Sequence, residues 1–258
     1  NDIAISAYYT YRVEKDLAED IDLATPYEVW TPVTFTDPEY GDYIVYELDE
    51  DYVGLPTEYY VTNPGELDGK PFENEYQALT VKLTKRFSNN WMMMGSYTYS
   101  KTLGWRFDAA DMASAVGDSP NDDLYAYGRP FYDRPHLFKL SGNYAFNFGL
   151  NIGAFIRYQS GEPFARTIES QRRMNQGWET VRFEEPGSQR YPSVQTVDLR
   201  LAQRFTLGPT ELEIMLDGFN LTNENTIIDQ GHEVNYSYGD VYQILPPRIF
   251  RIGAKISF

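Results

Sequence analysis

The chain has 258 residues, 38 of them acidic and 22 basic, for a formal net charge of −16. That balance argues against general nucleic-acid binding, which needs clustered Lys and Arg against phosphate, and the absence of cysteine excludes disulfide frameworks, cysteine nucleophiles and cysteine zinc sites. With 16% aromatic residues, 19 Gly and 15 Pro, the composition suits strands and ordered loops rather than a disordered acidic chain.

In chain order, the sequence alternates with a period of two in eight places. Residues 2–12 put Ile3, Ile5, Ala7, Tyr9 and Tyr11 on one face. Residues 76–87 set Leu79, Val81, Leu83 and Phe87 against Thr80, Lys82, Thr84 and Arg86. After the turn Ser88-Asn89-Asn90, residues 91–101 set Trp91, Met93, Gly95, Tyr97 and Tyr99 against Met92, Met94, Ser96, Thr98 and Ser100. A second hairpin turns at Asn147-Phe148-Gly149, with Phe138, Leu140 and Tyr144 before it and Leu150, Ile152 and Ile156 after it. A third spans 194–222 around Leu207-Gly208-Pro209, with Val197, Leu199 and Leu201 before the turn and Leu212, Ile214 and Leu216 after it. Residues 248–258 complete the set with Phe250, Ile252, Ala254, Ile256 and Phe258.

The eight strands are longer than the usual globular strand of about five to six residues. Their connections alternate strictly: three short turns lie at one end, and the long loops 13–75, 102–134, 161–193 and 223–247 lie at the other. An antiparallel transmembrane β-barrel segregates its loops in this way, with short periplasmic turns and long extracellular loops. Its strands need about ten residues to cross the bilayer. A soluble antiparallel barrel or sandwich, whose apolar face is its core, is the other reading of the same alternation. The transmembrane reading puts the apolar faces in lipid, and Tyr8, Tyr9, Trp91, Tyr97, Tyr99, Tyr144 and Tyr158 in interfacial girdles. It puts Lys82, Arg86, Arg157, Arg200, Arg204, Arg251 and Lys255 on the lumen side, where Asp198, Glu211, Glu213 and Asp217 form a cross-strand charge ladder with them. Lys and Arg are expected to be missing from the apolar faces, where each costs about 2–4 kcal/mol at the midplane.

The C-terminal segment Ile249-Phe-Arg-Ile-Gly-Ala-Lys-Ile-Ser-Phe258 resembles the last-strand signal that outer-membrane barrels present to the barrel-assembly machinery, carried by Phe250, Ile252, Ile256 and Phe258. Asp217-Gly-Phe-Asn-Leu-Thr-Asn223 resembles the penultimate-strand segment of TonB-dependent receptors. Tyr97-Thr-Tyr-Ser-Lys101, Tyr132-Asp-Arg-Pro-His136 and Tyr158-Gln-Ser-Gly-Glu-Pro-Phe164 match in the same order. Together they resemble the C-terminal part of the barrel of a TonB-dependent receptor, of the Oar-like type that carries a carboxypeptidase-regulatory-like domain at its N-terminus. The resemblance implies a bacterial outer-membrane location in a Gram-negative cell. It also implies uptake of a substrate driven by the TonB system, and as partners membrane lipid, the assembly machinery and the rest of the same receptor. Such receptors have about 22 strands and a plugged lumen. Here eight strands and neither plug nor TonB box are read, so residues 1–258 are expected to be the C-terminal portion of a longer barrel. A complete eight-stranded structural or adhesive barrel is the rival.

No nucleophile elbow, P-loop, zincin motif or dinucleotide fingerprint occurs, and no enzyme is expected. No cofactor is expected either, although Asp49, Glu50 and Asp51, and Asp118, Asp122 and Asp123, offer oxygen ligands of the kind Ca2+ takes. Ligand contact is expected in the aromatic and Arg-rich loops, at Trp105, Tyr125, Tyr127, Arg129, Arg172, Arg173 and Trp178. The loop 13–75 holds 18 acidic and two basic residues and so carries the whole net charge, while the remainder is balanced.

Overall fold

The computed structural model describes residues 2–67, 69–105 and 118–258; residues 106–117 of the loop at 102–134 lie outside this range. Eight long strands make one antiparallel sheet: β1 (Ile3–Glu14), β2 (Asn74–Ser88), β3 (Trp91–Leu103), β4 (His136–Ala145), β5 (Leu150–Gln159), β6 (Val194–Leu207), β7 (Thr210–Phe219) and β8 (Ile249–Ser257). Each is hydrogen-bonded to the next in sequence. Among the described residues β1 and β8 do not pair, so the sheet is open with a free edge at each end rather than closed on itself.

The register joins the alternating faces into one surface. Leu83 lies opposite Ile5, and Leu140 lies between Gly95 and Ile156. Leu201 lies between Ile152 and Leu216, and Leu216 lies opposite Ile252. A slip of one residue would bring Arg200 or Lys139 onto this face, which is what fixes the pairing. The apolar surface is open to its surroundings, with Ile5 at 73% and Ile252 at 79% exposure.

Two expectations are corrected by the register. Tyr8 pairs with Thr80 and therefore lies on the polar face, unlike its neighbour Tyr9 opposite Leu79. Lys85 pairs with Ile3, so one lysine does stand on the apolar face. It is tolerated because it sits at the turn end, where its side chain folds back and is buried. Its Nζ donates to Arg86 O (3.0 Å), Ser88 O (3.2 Å) and Ser88 Oγ (2.6 Å), and lies 4.5 Å over the Trp91 ring.

The short turns are tight for local reasons. Ser88 pairs with Trp91, so the first turn is the dipeptide Asn89-Asn90, both with positive φ. Asn tolerates that conformation, and its backbone twist matches the strands. Leu207 likewise pairs with Thr210, giving two turn residues where three are read from the sequence. The middle turn ends at Gly149, whose φ is +95° and where a Cβ would stand 2.7 Å from Arg204 O.

The long connections fold onto the other end of the sheet. The acidic segment contains a hairpin, Trp30–Asp37 with Gly41–Leu48, and a second pair, Glu19–Asp22 with Tyr59–Thr62. The connection after β5 contains Thr167–Glu169 paired with Thr180–Arg182. The buried apolar clusters lie here and not on the sheet. Tyr43 and Val45 pack with Ile168, Met174 and Val181, and Phe72 packs with Trp105 and Ala126. This placement is the reverse of a soluble sandwich, whose core lies between sheet faces.

Candidate ligand-binding face of the loops

The loops are tied to the rim of the sheet by one buried carboxylate. Asp133, in the segment leading into β4, is fully buried. Its Oδ1 accepts from the Thr102 amide at 2.8 Å, and its Oδ2 accepts from Arg129 Nη1 at 3.2 Å and Arg190 Nη2 at 2.8 Å. Arg190 also donates to the carbonyls of Asp133 and Gly161. Gly161 is required there, because a Cβ would stand 1.8 Å from Tyr191 O. Next to it, Arg134 is paired with Glu162 at 2.8 Å. The motif residues Asp133, Gly161 and Glu162 therefore join two loops to β3 and β4.

Above the rim, the acidic hairpin is seamed to its neighbours. Its outer strand would leave a free edge, and side-chain amides cover it. Asn121 accepts from the Tyr46 amide at 2.7 Å and donates to the Tyr46 carbonyl at 2.9 Å. Gln176 accepts from the Leu48 amide at 3.0 Å, and Asn175 donates to the Leu48 carbonyl at 2.9 Å. Arg172 forms a two-pronged pair with Glu47, both bonds at 2.7 Å, which holds the Glu47 carboxyl below its usual range. Burial pushes Glu179, which accepts from Asn121, the other way.

Between the acidic hairpin and the segment 118–128 lies a cavity of about 740 Å3. Tyr27, Tyr46, Tyr125 and Tyr127 line it together with Asp42, Asp123, Glu185 and Lys70. Tyr27 donates its hydroxyl to Asp123, and burial followed by that carboxylate pushes the phenol pKa far up, so Tyr27 stays protonated. Tyr125 is half exposed and has a φ of +53°, an uncommon conformation for a tyrosine. Lys70 Nζ sits 4.7 Å over the Tyr127 ring.

The residues singled out from the sequence divide into three groups. Tyr125 and Tyr127 face this cavity. Trp105 also borders it but is almost fully buried, donating Nε1 to Pro71 O at 2.7 Å and packing edge-on against Tyr127. Arg129 and Arg172 are engaged by Asp133 and Glu47. Arg173 and Trp178 lie on the surface, with Trp178 more than half exposed. Tyr27, Asp42, Tyr46 and Glu185 were not singled out; the only signal for the first three was the density of Tyr and carboxylates in the acidic loop, and Glu185, in the loop 161–193, had none. The two acidic clusters do not converge. Asp49 caps the turn at Glu50–Tyr52 by accepting from the Asp51 amide, and Asp122 accepts from Ser119 Oγ. Among the described residues no group of three or more His, Asp or Glu side chains is placed to hold a metal ion. His232 is a packing residue, stacked on Phe164 at 4.7 Å and bonded to the Tyr191 hydroxyl at 2.9 Å.

Residues 59–177 match the family model described as an outer membrane beta barrel domain. Two solved structures share the fold over 98% of this chain. One is the ferripyoverdine receptor of the outer membrane of Pseudomonas aeruginosa, at 12% identity and a TM-score of 0.52. The other is the outer membrane transporter YddB from Escherichia coli, at 13% identity and a TM-score of 0.58. No curated protein matches the sequence. The chain spans 24% of the first structure and 30% of the second, and at these identities the likeness is one of fold. The chain has the fold of a stretch of outer-membrane β-barrel.

In the barrel, the continuous apolar face meets lipid and the opposite face lines the lumen. The girdle at the loop end includes Tyr97, whose hydroxyl lies 2.8 Å from His136 Nδ1, with Tyr99 packed on the same imidazole. At the turn end Tyr144, Phe146 and Phe148 pack in succession with tilted rings. On the lumen wall the charge ladder is present across β6, β7 and β8. Asp217 accepts from Arg200 Nε at 2.5 Å and from Arg251 Nη2 at 2.8 Å, and Arg204 approaches Glu213 at 3.6 Å. Across β2 to β5 the corresponding row is Lys82, Ser96, Lys139 and Arg157, which contains no carboxylate.

Proposed function

We propose that this chain forms wall and extracellular loops of a TonB-dependent receptor that takes up a ligand across the outer membrane, and that it performs no catalysis. The observation that carries this reading is the open sheet: two unpaired edges on a wall of eight strands call for further strands. The short share of the receptor and transporter structures that it spans agrees with a larger barrel. The described loop residues fold into paired strands and buried clusters above that wall, as recognition loops on a scaffold do. In this reading β1 and β8 join the remaining strands of the same protein, and Phe250, Ile252, Ile256 and Phe258 serve assembly.

The test is retention on the immobilised periplasmic domain of TonB. The full-length protein is extracted from outer membranes in mild detergent and passed over the domain. Specific retention is expected. Passage without retention contradicts the energy coupling and leaves a barrel with a structural or adhesive role.

A further inference from the structure

We propose that the cavity between the acidic hairpin and the segment 118–128 is a binding site for an organic cation, a molecule carrying an ammonium or guanidinium group on an apolar body. The inference deepens the receptor reading, on which it rests for the direction from which ligand arrives.

The size comes first. At about 740 Å3 the cavity falls within the range of small-molecule sites, roughly 300–1,000 Å3. Its chemistry comes second. Tyr27, Tyr46, Tyr125 and Tyr127 give it aromatic walls, and a cation placed over such a ring is attracted by the negative face of the π system. The structure contains an internal instance, since the Lys70 ammonium already occupies the Tyr127 ring face at 4.7 Å. Charge comes third. Among the described residues Asp42, Asp123 and Glu185 outnumber Lys70 in the lining, and Asp42 and Glu185 have no ion-pair partner. The cavity also opens beside the loop that carries the net charge of the whole chain, so the surrounding potential concentrates cations and repels anions. An anion would meet three carboxylates, and a neutral ligand would gain nothing from that potential.

The geometry assigns roles. Tyr125, half exposed and held at positive φ, offers a ring face at the mouth. Tyr27 is fixed by its bond to Asp123. Asp42 and Glu185 supply the counter-charge. Lys70 is an internal competitor for the ring of Tyr127.

The test uses the full-length protein in nanodiscs of zwitterionic lipid, with rhodamine 6G as the cationic probe and fluorescein as an anion of similar shape, read by fluorescence anisotropy. Saturable binding of rhodamine 6G and none of fluorescein is expected. The double variant Asp42→Asn/Glu185→Gln is expected to weaken rhodamine 6G binding by at least tenfold, and Tyr125→Ala by about fivefold. Lys70→Met is expected to tighten it severalfold, a gain that damaged folding would not produce. Equal binding of both dyes, or rhodamine 6G binding indifferent to the double variant and to Lys70→Met, overturns the proposal. Absence of rhodamine 6G binding to a protein that TonB retains removes this site and spares the receptor reading. Binding without retention does the reverse.

Discussion

Arg190 Nη2 lies 2.8 Å from Oδ2 of Asp133, and that carboxylate is fully shielded from solvent. The pair joins the loop after β5 to the entry of β4, and Arg129 completes it from a third position. A buried acid held by two guanidinium groups and a backbone amide is sensitive to the loss of the acid, because the bases and the amide are then left without their acceptor.

Asp133→Ala should therefore destabilise the loop end of the barrel by about 3 kcal/mol, the usual cost of breaking a buried pair from one side. Asp133→Asn, which keeps an acceptor for the Thr102 amide, should cost less. Urea midpoints of the protein in lipid vesicles, together with protease nicking between residues 160 and 193, check both. Wild-type behaviour of the Ala variant would remove Asp133 from the anchoring role.

The seam of the acidic hairpin should respond to pH in two opposite ways. Arg172 lowers the Glu47 carboxyl, so its contribution is complete above the ordinary carboxylate pKa and is lost as pH falls through the lowered value. Burial raises Glu179, so its folded form favours the proton. Its contribution is present below the ordinary carboxylate pKa and is lost as pH rises through the raised value. Hydrogen-exchange protection of the Tyr46 and Leu48 amides reads this directly. Glu47→Gln should lower protection at pH 7 and converge with wild type once pH falls below the lowered Glu47 value. Glu179→Gln should remove the loss of protection that wild type shows as pH rises above the ordinary carboxylate range. Identical pH profiles in all three proteins would show that neither carboxyl governs the seam.

Lysine on the lipid face should be tolerated only where it can reach the interface. Lys85→Met should fold normally, since the Lys85 ammonium is capped by turn carbonyls rather than required by lipid. Leu201→Lys, in the middle of β6, should cost about 2–4 kcal/mol. Folding yields into lipid vesicles, scored by heat-modifiable gel migration, distinguish the two. Equal yields would argue against lipid contact at Leu201.

The wall was legible in the sequence because lipid and lumen demand opposite chemistry on alternate residues, and nothing else in the wall competes with that demand. Leu199, Arg200, Leu201 and their partners needed no tertiary information to be placed. Lys85 was misplaced because a long side chain near a strand end can bend back, whereas Tyr8 keeps the alternation and was misplaced by residue type alone, being a mid-strand tyrosine on the polar face. The acidic hairpin was not legible. Tyr43-Ile44-Val45-Tyr46 is apolar on both faces, since Tyr43 and Val45 enter the loop core while Ile44 and Tyr46 border the cavity. The cavity itself joins Tyr27, Asp42, Tyr125 and Glu185, which are far apart in sequence, and no local pattern links them. Asp133 was visible as part of a motif, but its burial depends on Arg190 arriving from another loop.

The central claim is that one face of this sheet lies in lipid and the other does not. The sequence contains no cysteine, so single cysteines placed along it label uniquely within the chain. A fluorophore attached in turn at residues 199, 200, 201 and 202 of the protein in vesicles, read against lipid-borne quenchers, measures the claim directly. Strong quenching at 199 and 201 and weak quenching at 200 and 202 is the expected result. Weak quenching at all four positions, with full access to an aqueous quencher, would contradict it.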